Sequence, residues 1–247
     1  MGSALLLFFI LLAGIKSDGN VLNKWYWLAA DTSNITNAPY PVSRWSMYGL
    51  CGYEQGSDVK HPGSFINCTS NTADYPFDLS RNFNIDKSDL SFSFQTNKFF
   101  YMTRFQFPFY LIAIFFDVVA LFASLVGGNF RAAGFVTSAS TFLTFIFSTI
   151  AAALSTAAYV QARNALQDEN IDAAITPTLY GFAWAVVFMS FVNTIFACII
   201  TPSKNDSVGK YSAKKSGKKG GFKFGIKKKK TTEGPVDDKE TSSFVRA

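Results

Sequence analysis

The sequence predicts an α-helical membrane bundle with a small, β-rich, disulfide-bonded domain on its outer side. Three observations predict it. Three long apolar blocks follow one another between residues 107 and 200. A polar, aromatic stretch with two cysteines precedes them, and a lysine-rich stretch follows. Charged residues make up 16% of the chain, against about 25% in an ordinary globular protein. Hydrophobic residues reach 49%, and 27 of the 247 residues are phenylalanine. The bilayer is therefore the relevant solvent for much of the chain.

Residues 1–15 form a short N-terminal apolar segment. The run from Ala4 to Ile15 reaches only about 18 Å as a helix, at about 1.5 Å per residue, short of a hydrocarbon core of roughly 30 Å. It reads either as a signal segment, without the usual basic start and A-x-A cleavage site, or as the remnant of a first span. Residues 107–127 form the first full span: Phe107 to Val126 is nearly unbroken in apolar character, with Pro108 suited to a first helical turn and Gly127-Gly128 as its end. Residues 132–160 form a second, rich in Ala, Ser and Thr. Residues 179–200 form a third, opened by the cap-like Thr176-Pro177 and closed by Thr201-Pro202.

Residues 16–106 are polar and aromatic, with 8 basic and 8 acidic residues between Lys16 and Arg104. Turn formers at Pro39, Pro41, Pro62-Gly63 and Pro76 punctuate the stretch, and the alternation Leu90-Ser91-Phe92-Ser93-Phe94 reads as a half-buried strand. Charge orients the chain. The tail, residues 201–247, holds 13 basic and 5 acidic residues, whereas the other 200 residues hold 10 and 12. The tail and the turn at Arg131 therefore belong in the cytoplasm. The loop 161–178, with Asp168, Glu169 and Asp172 against Arg163, belongs outside together with residues 16–106.

Few residues are candidates for chemistry. Cys51 and Cys68 lie where oxidising conditions let a disulfide persist, closing a loop whose cross-linking contributes about 3 kcal/mol. Asn34 and Asn67 head glycosylation tripeptides on the same side, the second crowded by the bridge. Cys198 reads as a buried small residue or a palmitoylation site. Asp117 is the one ionisable residue deep in a span. It reads as a binding or relay site, or as a protonated carboxyl bonded to Thr141, Thr144 or Ser148. Ser148, Ala152 and Thr156, and Gly181 and Ala185, recur at four-residue spacing, which suits close helix packing or self-association.

In the tail, Lys214, Lys215, Lys218, Lys219, Lys223, Lys227, Lys228, Lys229 and Lys230 are interleaved with Phe222, Phe224 and Ile226. This pattern suits an anionic, phosphoinositide-bearing leaflet rather than nucleic acid, and equally a solvated tail. A single histidine, His61, gives poor support to a metal or His-based centre. No catalytic constellation, phosphate-cradling glycine loop or cofactor signature is recognisable.

The stretch from Arg44 through Trp45, Gly49, Leu50 and Cys51 to Cys68 resembles the W…G-L…C…C pattern of claudin-like four-span proteins, in which an aromatic sits beside a disulfide and a glycine permits a tight strand junction. Adding Trp25-Tyr26-Trp27, Ala30-Asp31-Thr32-Ser33 and Phe100-Tyr101-Met102-Thr103-Arg104, the segment from Val21 to Ile200 resembles the fungal plasma-membrane tetraspan proteins of eisosome-associated compartments, relatives of PalI-type proteins. The resemblance implies a four-span bundle and no enzymatic activity. It also implies organisation of furrow-like, sterol-rich domains scaffolded by BAR-domain proteins, with influence on the cell wall, sphingolipid balance and sporulation. A PalI-like accessory of a sensing receptor, or a transporter or channel subunit, is the alternative.

Overall fold

Three helices frame the computed structural model, which describes residues 2–15, 25–89, 97–126 and 131–200, all within the unit Met1–Lys204. They are α3 (Lys98–Val126), α4 (Arg131–Asp168) and α5 (Pro177–Ile200), of 29, 38 and 24 residues. Each is long and apolar enough to cross a membrane. At about 1.5 Å per residue they extend roughly 44, 57 and 36 Å, so α3 and α4 project well beyond a hydrocarbon core of about 30 Å. Large apolar side chains point outward, Phe115, Phe122 and Phe188 being 62%, 63% and 68% exposed. A bilayer, not water, suits such a surface.

The helices begin and end where local chemistry dictates, with two departures from the expected spans. α3 starts at Lys98, so Pro108 lies inside it and removes one backbone bond rather than opening the first turn. α4 runs on to Asp168, eight residues past the expected span end. It stops where Asn170 takes a left-handed conformation (φ 60°) and the Ile171 amide donates back to the Leu166 carbonyl at 3.0 Å. α5 begins at Pro177 as expected, although the buried hydroxyl of Thr176 caps nothing.

Residues 161–178, expected as a loop, instead contribute the end of α4 and a strand, β5 (Ala173–Ile175). It joins β1 (Leu28–Asp31), β2 (Val42–Trp45), β3 (Leu50–Tyr53) and β4 (Phe65–Cys68) in one antiparallel sheet of order β4-β3-β2-β1-β5. The alternation at 90–94 and the whole tail from 201 lie outside the described residues.

The sheet sits on the projecting ends of α3 and α4 through an aromatic hub. Trp27, fully buried, stacks between Tyr159 (5.8 Å) and Tyr110 (6.3 Å) and meets the edge of Tyr180 at 5.2 Å. Each such pair contributes about 0.5–1.5 kcal/mol beyond the area it buries. The Tyr180 hydroxyl donates to the Trp27 carbonyl at 3.0 Å, Gln106 donates to the Tyr159 hydroxyl at 3.1 Å, and Tyr110 bonds Ser155 at 3.2 Å. The three tyrosine hydroxyls thus find partners within the structure, whereas the buried Trp27 indole N–H has none among the described residues.

α1 (Gly2–Leu12) packs against α3 and α5 with Leu7 and Ile10 fully buried. Its end is tied to the sheet: the Tyr48 hydroxyl donates to the Leu11 carbonyl at 2.6 Å, and Asn71 donates to the Ile15 carbonyl. Among the small residues of α4, Ser148 and Ala152 are buried and Ser148 meets Ser190 of α5 at 3.4 Å. Gly181 faces open space, so it is not the residue that lets α5 approach its neighbours. Leu179, Ala183, Val186 and Ser190 form the inward face instead.

Candidate functional site

Strand alternation divides the sheet into two faces. The pairs Leu28↔Trp45 and Trp45↔Leu50 put these three side chains on the bundle face, where all are buried in the main core. The pairs Arg44↔Cys51 and Cys51↔Cys68 put the disulfide and Arg44 on the opposite face. The bridge between Cys51 and Cys68 is present, joining β3 to the edge strand β4. The expectation that the motif aromatic sits beside the disulfide is therefore corrected. Trp45 points away from it, packing on Phe77 (5.1 Å) and Phe83 (6.0 Å). With the amide of Asn82 turned to present its oxygen, the indole N–H donates to it at 2.9 Å.

The glycine of the pattern does permit a tight junction. Ser46 and Gly49 close the β2–β3 turn, the Ser46 amide donating to the Gly49 carbonyl at 2.9 Å. A Cβ on Gly49 would lie 2.7 Å from Thr69 Oγ1, the same oxygen that accepts from the Leu50 amide at 3.0 Å. Trp45, Gly49, Leu50, Cys51 and Cys68 are thus one structural unit that locks three strands in register.

On the disulfide face, Arg44 takes a role that the sequence pattern does not reveal. Arg44, 8% exposed, lies between the rings of Tyr26 (4.3 Å) and Tyr53 (4.6 Å) and donates to the Lys60 carbonyl at 3.0 Å. It pins the β3–β4 loop, whose Val59 buries against Ala29 and Ala174, over this face. The sequence carries no signal of this: Arg44 is flanked by Ser43 and Trp45, and the two tyrosines lie 18 and 9 residues away.

A second set of contacts clamps the segment after the bridge to α3. The Phe77 amide donates to Thr103 Oγ1 at 3.0 Å, Arg81 stacks on Phe100 at 3.9 Å, and Arg104 pairs with Asp74 at 3.2 Å. Asp78 caps α2 (Leu79–Phe83) by accepting from the amides of Ser80 and Arg81. Burial pushes the Asp74 carboxyl up to about 6, outweighing the Arg104 guanidinium that pulls it down. One oxygen of Asp74 is buried without a partner, which is the structural face of the same cost.

Both glycosylation candidates are exposed. Asn34 lies on the β1–β2 loop, just after a turn in which Asp31 accepts from the Ser33 amide and hydroxyl at 3.0 and 2.6 Å. Burial works to raise the Asp31 carboxyl, but these bonds and one from Gln55 hold it below its usual range. Asn67 lies on edge strand β4 beside the bridge. The tail lysines expected to meet lipid, Lys214, Lys215, Lys218, Lys219, Lys223, Lys227, Lys228, Lys229 and Lys230, lie outside the described residues. Cys198 is exposed on α5, not buried as expected, 3.8 Å from Ser138. Among the described residues no cluster of metal-ligating side chains occurs.

Asp117 is 7% exposed in mid-α3, and its Oδ2 has no hydrogen-bond partner. The hydroxyls expected to hold it do not. Thr141 donates to the Ser138 carbonyl, Thr144 to Ser140 and Ser148 to Phe145, at 3.0, 3.0 and 3.2 Å. In a helix the i−3 and i−4 carbonyls are always within reach, so they outcompete a carboxyl on a neighbouring helix.

A sheet-bearing bundle with membrane-crossing helices, a cross-strand disulfide and its W…G-L…C…C unit defines a multi-span membrane protein with a non-membrane domain built on its helix ends. The chain belongs to the SUR7/PalI family, whose model matches residues 1–196. It is 31% identical to the Candida albicans protein SUR7 over 248 residues, 100% of this chain and 84% of that protein. It is 35% identical to the Saccharomyces cerevisiae plasma membrane protein YNL194C over 214 residues, 84% of this chain and 68% of that one. It is also 33% identical to the SUR7 family protein FMP45 of the same yeast, over 81% of this chain and 63% of that protein. The earlier resemblance to fungal tetraspan proteins of this kind is thereby shown.

Proposed function

We propose that this protein is a non-enzymatic organiser of plasma-membrane compartments of the eisosome-associated, furrow-like kind, and through them influences cell wall, sphingolipid balance and sporulation. The observation that supports this most is similarity to SUR7 of Candida albicans along the whole chain. In this reading the sheet domain faces outward, α1 is a further membrane-inserted helix, and the tail lies inside. The seating of α1 against α3 and α5 supports its place in the bundle. Charge asymmetry supports the orientation. The lysine tail holds anionic lipid, BAR-domain scaffolds act from the cytoplasmic side, and copies of the protein associate with one another in sterol-rich membrane.

A fluorescent tag after Ala247 in a fungal cell tests the role, and protease added to spheroplasts tests the orientation. Stable cortical patches and a protected tag are expected. A diffuse or endosomal signal favours the receptor-accessory role instead, and loss of the tag to external protease overturns the orientation.

A further inference from the structure

α3, α4 and α5 enclose a cavity of about 250 Å³ in the half of the bundle remote from the sheet, with Asp117 in its wall. Four other polar residues line it: Ser124, Thr137, Thr141 and Asn193. The three hydroxyl protons among them are already spent. Ser124 donates to the Leu121 carbonyl at 2.7 Å, Thr137 to Ala133 at 2.9 Å and Thr141 to Ser138 at 3.0 Å. Lone pairs are what these side chains have left to offer. The buried Asp117 Oδ2 adds an unused acceptor, and beside the carboxylate stands the buried Ser3 hydroxyl of α1, which has no other partner. Asn193 makes no hydrogen bond among the described residues and is exposed on the outer surface of α5, so it marks the mouth of the cavity.

Among the described residues no lysine or arginine lines this wall. Lysine and arginine are absent from α1, from α3 beyond Arg104, from α4 between Arg131 and Arg163, and from α5. An acid held at such depth is costly, and a ligand that donates to it offsets part of that cost. The remaining wall is apolar, formed by Ala120, Leu121 and Ala197. The volume falls below the roughly 300–1,000 Å³ that encloses a drug-sized ligand. A headgroup fits inside, and an attached tail is left to the bilayer.

We propose that this cavity binds a bilayer amphiphile through a headgroup that donates N–H or O–H to Asp117, with Asn193 at the entrance. Two sources share that chemistry, an ammonium and a hydroxyl, and the experiment separates them. The full-length protein in phosphatidylcholine nanodiscs is exposed to a diazirine-bearing long-chain primary amine or to the matching alcohol, and cross-linked peptides are mapped. Saturable labelling near Leu121 and Ala197 is expected, at least tenfold weaker in Asp117→Asn and reduced in Asn193→Leu. Labelling by the amine alone assigns an ammonium site, and labelling by the alcohol alone assigns a hydroxyl site. Labelling by neither above the level at lipid-facing Phe115, or equal labelling of wild type and Asp117→Asn, overturns the proposal. Should Asp117→Asn fail to reach the membrane, Asn193→Leu carries the test, because Asn193 bonds nothing within the described fold.

Discussion

Replacing Asp74 by Asn should stabilise the protein at neutral pH, although it removes a visible ion pair. The Asp74 carboxyl titrates near 6 in the folded protein against 3.8 for an unperturbed aspartate. The folded state therefore binds the proton more tightly than the unfolded chain. The stability this group contributes is fully present below pH 3.8 and is lost as pH rises through about 6. A shift of about two units corresponds to at most about 3 kcal/mol. The Arg104 side chain is 56% exposed and that of Asp74 23%, so solvent screening reduces the figure to about 1–2 kcal/mol. Asn removes the buried charge, keeps an oxygen for Arg104 and tolerates the left-handed backbone at this position (φ 64°). Thermal unfolding of both proteins in one detergent, from pH 4 to 7.5, gives the difference directly. The two should nearly coincide at pH 4, and the variant should melt a few degrees higher at pH 7. A variant that falls further below wild type as pH rises would show that the ion pair outweighs desolvation, and the reasoning would fail.

Cys51→Ser should free a second thiol besides Cys198 to labelling in the denatured, unreduced protein, and should cost the sheet domain about 2–5 kcal/mol. It should also raise glycan occupancy at Asn67, read as a glycosidase-sensitive mass shift, because Thr69 is no longer held against Leu50. Gly49→Ala should cost about 1–3 kcal/mol by forcing a methyl against Thr69. Gly181→Ala, with open space around it, should be neutral or gain up to about 1 kcal/mol; equal melting shifts for the two would refute the close-approach argument. A peptide of the tail should bind phosphoinositide vesicles in low salt and lose them as salt rises, and changing Lys227, Lys228, Lys229 and Lys230 together to Gln should weaken this more than any single change. Equal binding to neutral vesicles would reject the electrostatic account.

The apolar helices were legible because a bilayer demands about twenty apolar residues in succession, and composition alone records that demand. The disulfide was legible because only two cysteines lie outside the spans. Three features were not. Ala173-Ala174-Ile175 is too short and plain to read as a strand. It becomes one by pairing with Leu28 to Ala30, some 145 residues earlier in the chain. The direction of Trp45 depends on register, which a one-residue slip reverses. The partners of Thr141, Thr144 and Ser148 were misassigned because helix backbone competes for hydroxyls, a contest that spacing does not reveal.

β5 belongs to the link between α4 and α5, while β1 to β4 precede α3. The sheet is therefore stitched into the helical stem at its β5 margin, and cannot be lifted off as a free-standing piece. Residues 25–89 expressed alone would present β1 with a raw flank where β5 should lie, and the indole of Trp27 stripped of its tyrosines. Such a fragment would seek another strand and clump. By the same stitching, a force applied to the sheet is shared among several helices at once, so the domain and its stem respond as one stiff body.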